Sequence, residues 1–332
     1  MIPIVSFNPK PIQTHYQNVD VVIDRIDRRA PPVSRHIKLW IAASLILICL
    51  PLITAASLLA AGWSQLSLFN MIIPHDQGTK LIESGVVYGP HPRHALDIYG
   101  PEDHSTAASG LMPVLVFYYG GSWNSGSRVD YEFVGRAFAA AGYVTVIADY
   151  RLVPEVRFPE FIEDSASAFA WVTKNIDRVG GDPNRIFIAG HSAGAYNAMV
   201  LALDADFLDA HGIGTEAIKG VAGLSGPYDF LPLKRDSTRA AFSGVTDLKN
   251  TQPVNLVRRR APPIFLATGD QDDLVRPKNT RALAAAMTSI GVAAESRLYP
   301  GVDHAGTLLA ISRPYRAKAP VINDVLAFFR GL

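Results

Sequence analysis

The chain has 332 residues, 48% of them hydrophobic and 18% charged, which supplies apolar material for one large core and excludes a disordered or low-complexity chain. Its 31 basic and 30 acidic residues nearly cancel, so no surplus of positive charge points to a nucleic acid partner. The single cysteine, Cys49, excludes an internal disulfide and a thiolate metal site.

Residues 1–36, rich in proline and arginine and without apolar periodicity, read as a flexible cytoplasmic tail. The stretch 37–61 opens on Ile37, closes on Ala61 and carries one charge, Lys38. It exceeds the about 20 apolar residues that a helix needs to cross a bilayer. Arg28, Arg29 and Arg35 before it and Lys38 at its edge come with no acid among them, whereas the residues after it, up to Lys80, hold only Asp76 and Lys80. The positive-inside bias then puts the amino terminus in the cytoplasm and the rest of the chain outside. Trp40 and Trp63 stand near the two ends, where indoles favour the interface. A cleaved signal peptide, which would release a secreted or periplasmic protein, has an apolar part of only about 7–15 residues. Residues 37–63 therefore read as an uncleaved signal-anchor helix, although Ala60, Ala61 and Gly62 supply the small residues that cleavage needs. Residues 64–79 read as a linker with a second apolar patch at 66–73, which lies on the membrane surface or starts the globular domain.

From residue 80 to 332 strands and helices alternate, the pattern of a mostly parallel sheet flanked by helices, α/β in class. Residues 86–88 and 95–99 form an opening strand pair, and the nearly continuous apolar run 113–118 reads as a strand buried on both faces. A helix at 133–141, a strand at 143–148 and a helix at 161–175 lead to a strand at 185–189 and a helix from 193 to about 203. Further strands fall at 220–224, 263–267 and 294–299, with helices at 280–290 and 319–329. The insertion 227–262 is placed to roof a pocket as a small cap, and its run Arg258, Arg259, Arg260 reads as a solvated face.

Between the strand at 185–189 and the following helix stands Gly190-His191-Ser192-Ala193-Gly194. A Gly-x-Ser-x-Gly string carries little weight alone, but a strand before it and a helix after it describe the sharp turn that lifts a serine hydroxyl clear of a sheet. A serine hydroxyl needs a base to take its proton. Of nine histidines, six lie in the amino-terminal segments or around the first strands, His191 adjoins the serine and should point away from it, and His211 sits on no strand end. His304, directly after the last strand, remains. The base needs a carboxylate, and the loop leaving the strand at 263–267 offers Asp270, Asp272 and Asp273. Spacing between Gly269 and Val275 favours Asp272, with Asp229 a distant alternative. Backbone donors for an oxyanion are available at Ala193 and at Gly121 and Ser122 in the loop Tyr119-Gly120-Gly121-Ser122-Trp123. The order Ser192, Asp272, His304 is that of an α/β-hydrolase and not of chymotrypsin-like or subtilisin-like enzymes.

With these segments in place, residues 80–332 resemble the hormone-sensitive-lipase-like carboxylesterases of the α/β-hydrolase fold and the related feruloyl-esterase and kynurenine-formamidase group. Further carriers of the resemblance are Leu96-Asp97-Ile98-Tyr99-Gly100-Pro101, Asp149-Tyr150-Arg151-Leu152, Asp164 and Gly181-Asp182-Pro183-Asn184-Arg185. The resemblance implies hydrolysis of small-molecule esters of short or medium acyl chain through an acyl-serine intermediate, with no metal or organic cofactor. Two positions depart from the family pattern, which usually has histidine in place of Tyr119 and often glycine in place of Ser122. Amide or formamide hydrolysis on the same three residues is the near alternative. A non-catalytic binding module is the distant one, against which the complete set of residues argues.

Overall fold

The computed structural model describes residues 64–103, 110–292 and 294–332, together with Trp40, Ile41, Ser44 and Ser57. The tail at 1–36 and the greater part of the anchor at 37–63 lie outside the described residues, among which no helix is long and apolar enough to cross a membrane. The chain divides into two compact units, Met1–Gly62 and Trp63–Leu332, and the second carries the fold.

That unit opens with α1 (Gln65–Ile72), whose N-cap Ser64 accepts a 2.8 Å hydrogen bond from Ser67 N–H. The buried Asn70 accepts from Phe133 N–H at 3.0 Å, Ser67 bonds Asp130, and Phe69 sets its edge on Phe133 at 5.5 Å. The segment expected to be a linker, with its apolar patch, thus begins the globular unit. That is one of the two placements the sequence leaves open for the patch at 66–73, because one apolar face of a two-turn helix and one buried amide give no period long enough to decide.

β1 (Thr79–Val87) and β2 (Ala95–Pro101) pair antiparallel, and β2 runs antiparallel to β4 (Val144–Ala148). β3 (Met112–Tyr118), β4, β5 (Gly181–His191), β6 (Ile218–Leu224), β7 (Ile264–Gly269) and β8 (Ala294–Tyr299) pair in parallel. The sheet order is β1-β2-β4-β3-β5-β6-β7-β8. β3 and β7 show why the centre is continuous in apolar residues, because Val114 to Phe117 and Ile264 to Ala267 are wholly buried.

The crossovers are α2 (Glu132–Ala140), α3 (Glu160–Asn175), α4 (Ala193–Leu203) with the short α5 (Asp206–Asp209), and α7 (Lys278–Ser289) after the cap helix α6 (Asp236–Ala241). α8 (His304–Leu309) and α9 (Val321–Arg330) follow β8. α4 is buried along its whole length, as a helix apolar on every side must be. α9 instead buries Val321, Ile322, Val325, Leu326, Phe328 and Phe329 and exposes its polar side. The strand ends carrying Ser192, Asp272 and His304 all lie at the carboxyl edge of the parallel strands, where such sheets place their sites.

Candidate active site

Ser192 occupies the single residue between β5 and α4 with φ 55° and ψ −122°, a positive-φ conformation that serine adopts only under strain. Its N–H donates to Leu224 O at the end of β6 at 2.9 Å, so the turn is tied to the sheet. Space around the turn leaves no room for side chains on either flank. A Cβ on Gly190 would stand 2.3 Å from the Gly194 carbonyl, and one on Gly194 would stand 2.0 Å from the Tyr118 carbonyl.

His304 begins α8 one short loop after β8, where Asp303 caps the helix by accepting from Gly306 N–H at 2.8 Å. Its Nε2 lies 2.9 Å from Ser192 Oγ and its Nδ1 lies 2.8 Å from Asp272 Oδ2. Asp272 is buried, and its other oxygen accepts from Val275 N–H at 2.7 Å and Leu274 N–H at 3.1 Å. Burial pushes the Asp272 carboxyl up, yet His304 and the backbone donors outweigh it and hold the group below the usual carboxylate value. An ionised Asp272 fixes Nδ1–H on His304 and leaves Nε2 free to accept the serine proton. The other acids of the loop go elsewhere: Asp270 accepts from Gly301 N–H, and Asp273 is exposed. Asp229 stands 3.8 Å from Lys278.

Three residues behind His304 escaped sequence reasoning. His191 Nε2–H donates to the His304 carbonyl at 2.9 Å, and the two rings lie 4.8 Å apart. Burial and the neighbouring His304 pull the His191 pKa down to about 3, so it stays neutral. Thr307 Oγ1 donates to the same carbonyl at 3.1 Å and lies 2.9 Å from the Ser225 hydroxyl. Ser225 is fully buried at φ 49° just past β6. A polar residue ending an apolar strand was its only signal, and nothing in the sequence joins it to Thr307.

The loop after β3 lies against the serine turn, and a Cβ on Gly120 would be 2.9 Å from Ser192 Cβ. Among the described residues, the N–H groups of Gly121, Ser122 and Ala193 make no hydrogen bond, so they are free to donate to a ligand. Ser122 and Ala193 line the same pocket as Ser192, whereas Gly121 does not reach its wall. Tyr119 is buried and points away from the pocket. Its hydroxyl donates to Asp149 Oδ1 at 2.7 Å and accepts from Arg93 Nη2 at 2.7 Å. Burial and Asp149 raise its pKa well above that of a free tyrosine, so it acts as a neutral donor.

The pocket holds about 420 Å³. Trp123, at φ 60°, forms one wall and is held by its indole N–H on Asn197 at 3.0 Å. The insertion 227–262 supplies Pro227, Phe230, Leu231 and Pro232 to the lining and thus does roof the site. Its basic run differs from the expected solvated face at one position. Arg258 bonds the carbonyls of Ala202 and Leu203 and the Thr215 hydroxyl, closing the end of α4, while Arg259 and Arg260 are exposed.

A mostly parallel eight-stranded sheet in this order, with serine in a strand-to-helix turn and the acid and histidine after β7 and β8, defines an α/β-hydrolase fold. The chain belongs to the BD-FAE family, whose model matches residues 96–287. It is 32% identical over 246 residues to the "Probable isoprenylcysteine alpha-carbonyl methylesterase ICMEL1" of Oryza sativa, covering 68% of this chain and 57% of that protein. To "Esterase LipC" of Mycobacterium tuberculosis it is 30% identical, covering 68% of this chain and 60% of the relative. It therefore spans less than two thirds of the length of these curated relatives. Esterase B from Lactobacillus rhamnosis superposes with a TM-score of 0.70 at 19% identity, covering 85% of this chain and 94% of that one, a likeness of fold.

Proposed function

We propose that the protein is a serine carboxylesterase that hydrolyses short- or medium-chain acyl esters through an acyl-serine intermediate. The observation that carries the reading is the continuous relay of Ser192 Oγ, His304 and Asp272, 2.9 and 2.8 Å between successive members, opening into a pocket lined in part by Trp123, Phe230 and Leu231. The esterase names of its relatives support the same reaction class.

His304 Nε2 takes the Ser192 proton as Oγ attacks the ester carbonyl carbon, and Asp272 steadies the imidazolium that forms. The carbonyl oxygen becomes an oxyanion that accepts from the N–H groups of Ala193 and Ser122, which line the pocket beside Ser192. The carbon–oxygen bond to the alcohol breaks, and the alcohol leaves with the proton from His304. Water then attacks the acyl carbon, gives its proton to the same nitrogen, and the acid departs as Ser192 regains its hydrogen. The pocket walls of Trp123, Phe230 and Leu231 suit an apolar acyl chain.

The test is hydrolysis of p-nitrophenyl acetate and butyrate by the parent and by Ser192→Ala, with a p-nitroanilide alongside. Loss of ester turnover in the variant is expected, and an unchanged rate refutes the reading. Preference for the anilide would transfer it to amide chemistry. We propose further that residues 37–61 anchor the chain with its catalytic domain outside the cytoplasmic membrane. An active carboxy-terminal alkaline phosphatase fusion that stays with membranes is the expected outcome, and an inactive fusion refutes that topology.

A further inference from the structure

The lining of the pocket is uneven in charge. Lys234 and Arg235 from the cap and Arg276 and Lys278 from the start of α7 face one acid, Asp273, so the lining carries a net +3 (four cations less one carboxylate). The whole chain is only +1, leaving a net −2 for everything else, so no general surplus of positive charge explains the cluster. Counting Asp229, 3.8 Å from Lys278, still leaves the mouth at +2. Among the described residues, the side chains of Lys234, Arg235 and Arg276 have no carboxylate within ion-pair distance.

Their placement makes the cluster more positive still. α7 has no acid in its first turn and carries Lys278 as its first residue, with Arg276 just before it. The N-terminal end of a helix is its positive end and favours acids there. Cations at that end work against the stability of α7. The α7 start is also fixed to the cap: Asn279 Oδ1 accepts from Tyr228 N–H at 3.0 Å and Asp229 N–H at 2.8 Å. The cap and the α7 start are thereby tied together, so that Lys234, Arg235, Arg276 and Lys278 line one pocket with the apolar Trp123, Pro227, Phe230 and Leu231.

Building on the esterase reading, we infer that the site selects amphiphilic esters, in which an apolar body next to the scissile bond ends in an anionic group, a carboxylate or a phosphate. The apolar body occupies the wall of Trp123 and Phe230 while the anion meets Lys234, Arg235, Arg276 and Lys278 at the rim. Exposed cations act singly with little force but together attract one anion from several sides, so the preference is expected in KM and kcat/KM more than in kcat.

Two matched pairs of substrates test the inference and locate the anion. p-Nitrophenyl hydrogen glutarate against its methyl ester places the charge on the acyl side, and p-butyryloxybenzoate against methyl p-butyryloxybenzoate places it on the leaving group. With each kcat/KM normalised to alkaline hydrolysis of the same ester, the anionic member of at least one pair is expected to win by about tenfold at low salt. Raising the ionic strength from about 0.01 to about 1 M, which shrinks the Debye length from about 30 to about 3 Å, should erase most of that ratio. The triple variant Lys234→Ala, Arg235→Ala, Arg276→Ala should bring the ratio toward one. Ser192-dependent hydrolysis of the neutral members with no anionic preference in either pair would overturn the inference and leave the esterase reading standing. A preference that survives both salt and the triple variant would also overturn it.

Discussion

Replacing Tyr119 by phenylalanine removes one oxygen from the loop that faces Ser192 and leaves the ring in place, stacked 4.8 Å from Tyr150 and 5.3 Å from Tyr131. The lost contacts are the hydroxyl's donation to Asp149 and its acceptance from Arg93, both at 2.7 Å. A hydrogen bond to a charged group contributes about 1.5–3 kcal/mol. Neither partner is orphaned in the variant, because Asp149 keeps the Arg128 N–H and guanidinium, and Arg93 keeps the carbonyls of Tyr150 and Gly126. The cost therefore falls toward the low end, about 2 kcal/mol. In a domain of this size that corresponds to a fall of about 4–8 °C in Tm. Urea unfolding of parent and variant, with kcat/KM for p-nitrophenyl butyrate measured on both, checks the two halves of the argument. Stability should fall while kcat/KM stays within about threefold, because the hydroxyl acts on the loop's support and not on the reacting atoms. A loss of activity beyond about a hundredfold with unchanged stability would refute the reasoning and place the hydroxyl in the reaction.

Asp272→Asn removes the charge that fixes the His304 tautomer, so kcat should drop by about 10³–10⁴-fold with little change in KM; steady-state kinetics on a folded variant decides it. His191, with a folded pKa of about 3 against about 6.5 in the unfolded chain, makes stability depend on pH. Its contribution is complete above about pH 6.5. Below that value the unfolded chain takes a proton that the folded one refuses, and stability falls by about 1.4 kcal/mol per pH unit as far as pH 3. Unfolding free energies at several pH values in this window should therefore show a shallower slope in His191→Asn than in the parent, and equal slopes would contradict the assignment.

The parallel half of the fold is legible because strands buried on both faces are written as unbroken apolar runs, as in Val114 to Phe117 and Ile264 to Ala267. The helix read from 193 to about 203 coincides with α4, since a turn demanding Gly190 and Gly194 marks its start. β1 shows the limit. It extends from Thr79, well before the strand read at 86–88, and register shifts between Leu81 and Glu83 and between Glu83 and Val86, with Gly85 at φ 67°, destroy the period-two pattern. Ser192, Asp272 and His304 could be singled out because each stands at a strand end in a fixed order along the chain, and the structure brings the three side chains within hydrogen-bond distance. Choosing Asp272 among three neighbouring acids rested on spacing, and the structure supplies the reason that spacing works: only Asp272 turns inward to the Val275 N–H and His304. The supporting contacts were not legible. Thr307 meets Ser225 across 82 positions, His191 meets His304 across 113, and Arg258 closes a helix 55 positions earlier. Such pairs arise from where the sheet puts its strand ends, and no local pattern encodes them.

The most direct test of Ser192 as nucleophile is the mapping of a fluorophosphonate adduct by peptide mass spectrometry on the folded protein. A single adduct on the peptide containing Ser192, absent from Ser192→Ala, is the expected result. An adduct on another residue, or none on a protein shown to be folded, would contradict it.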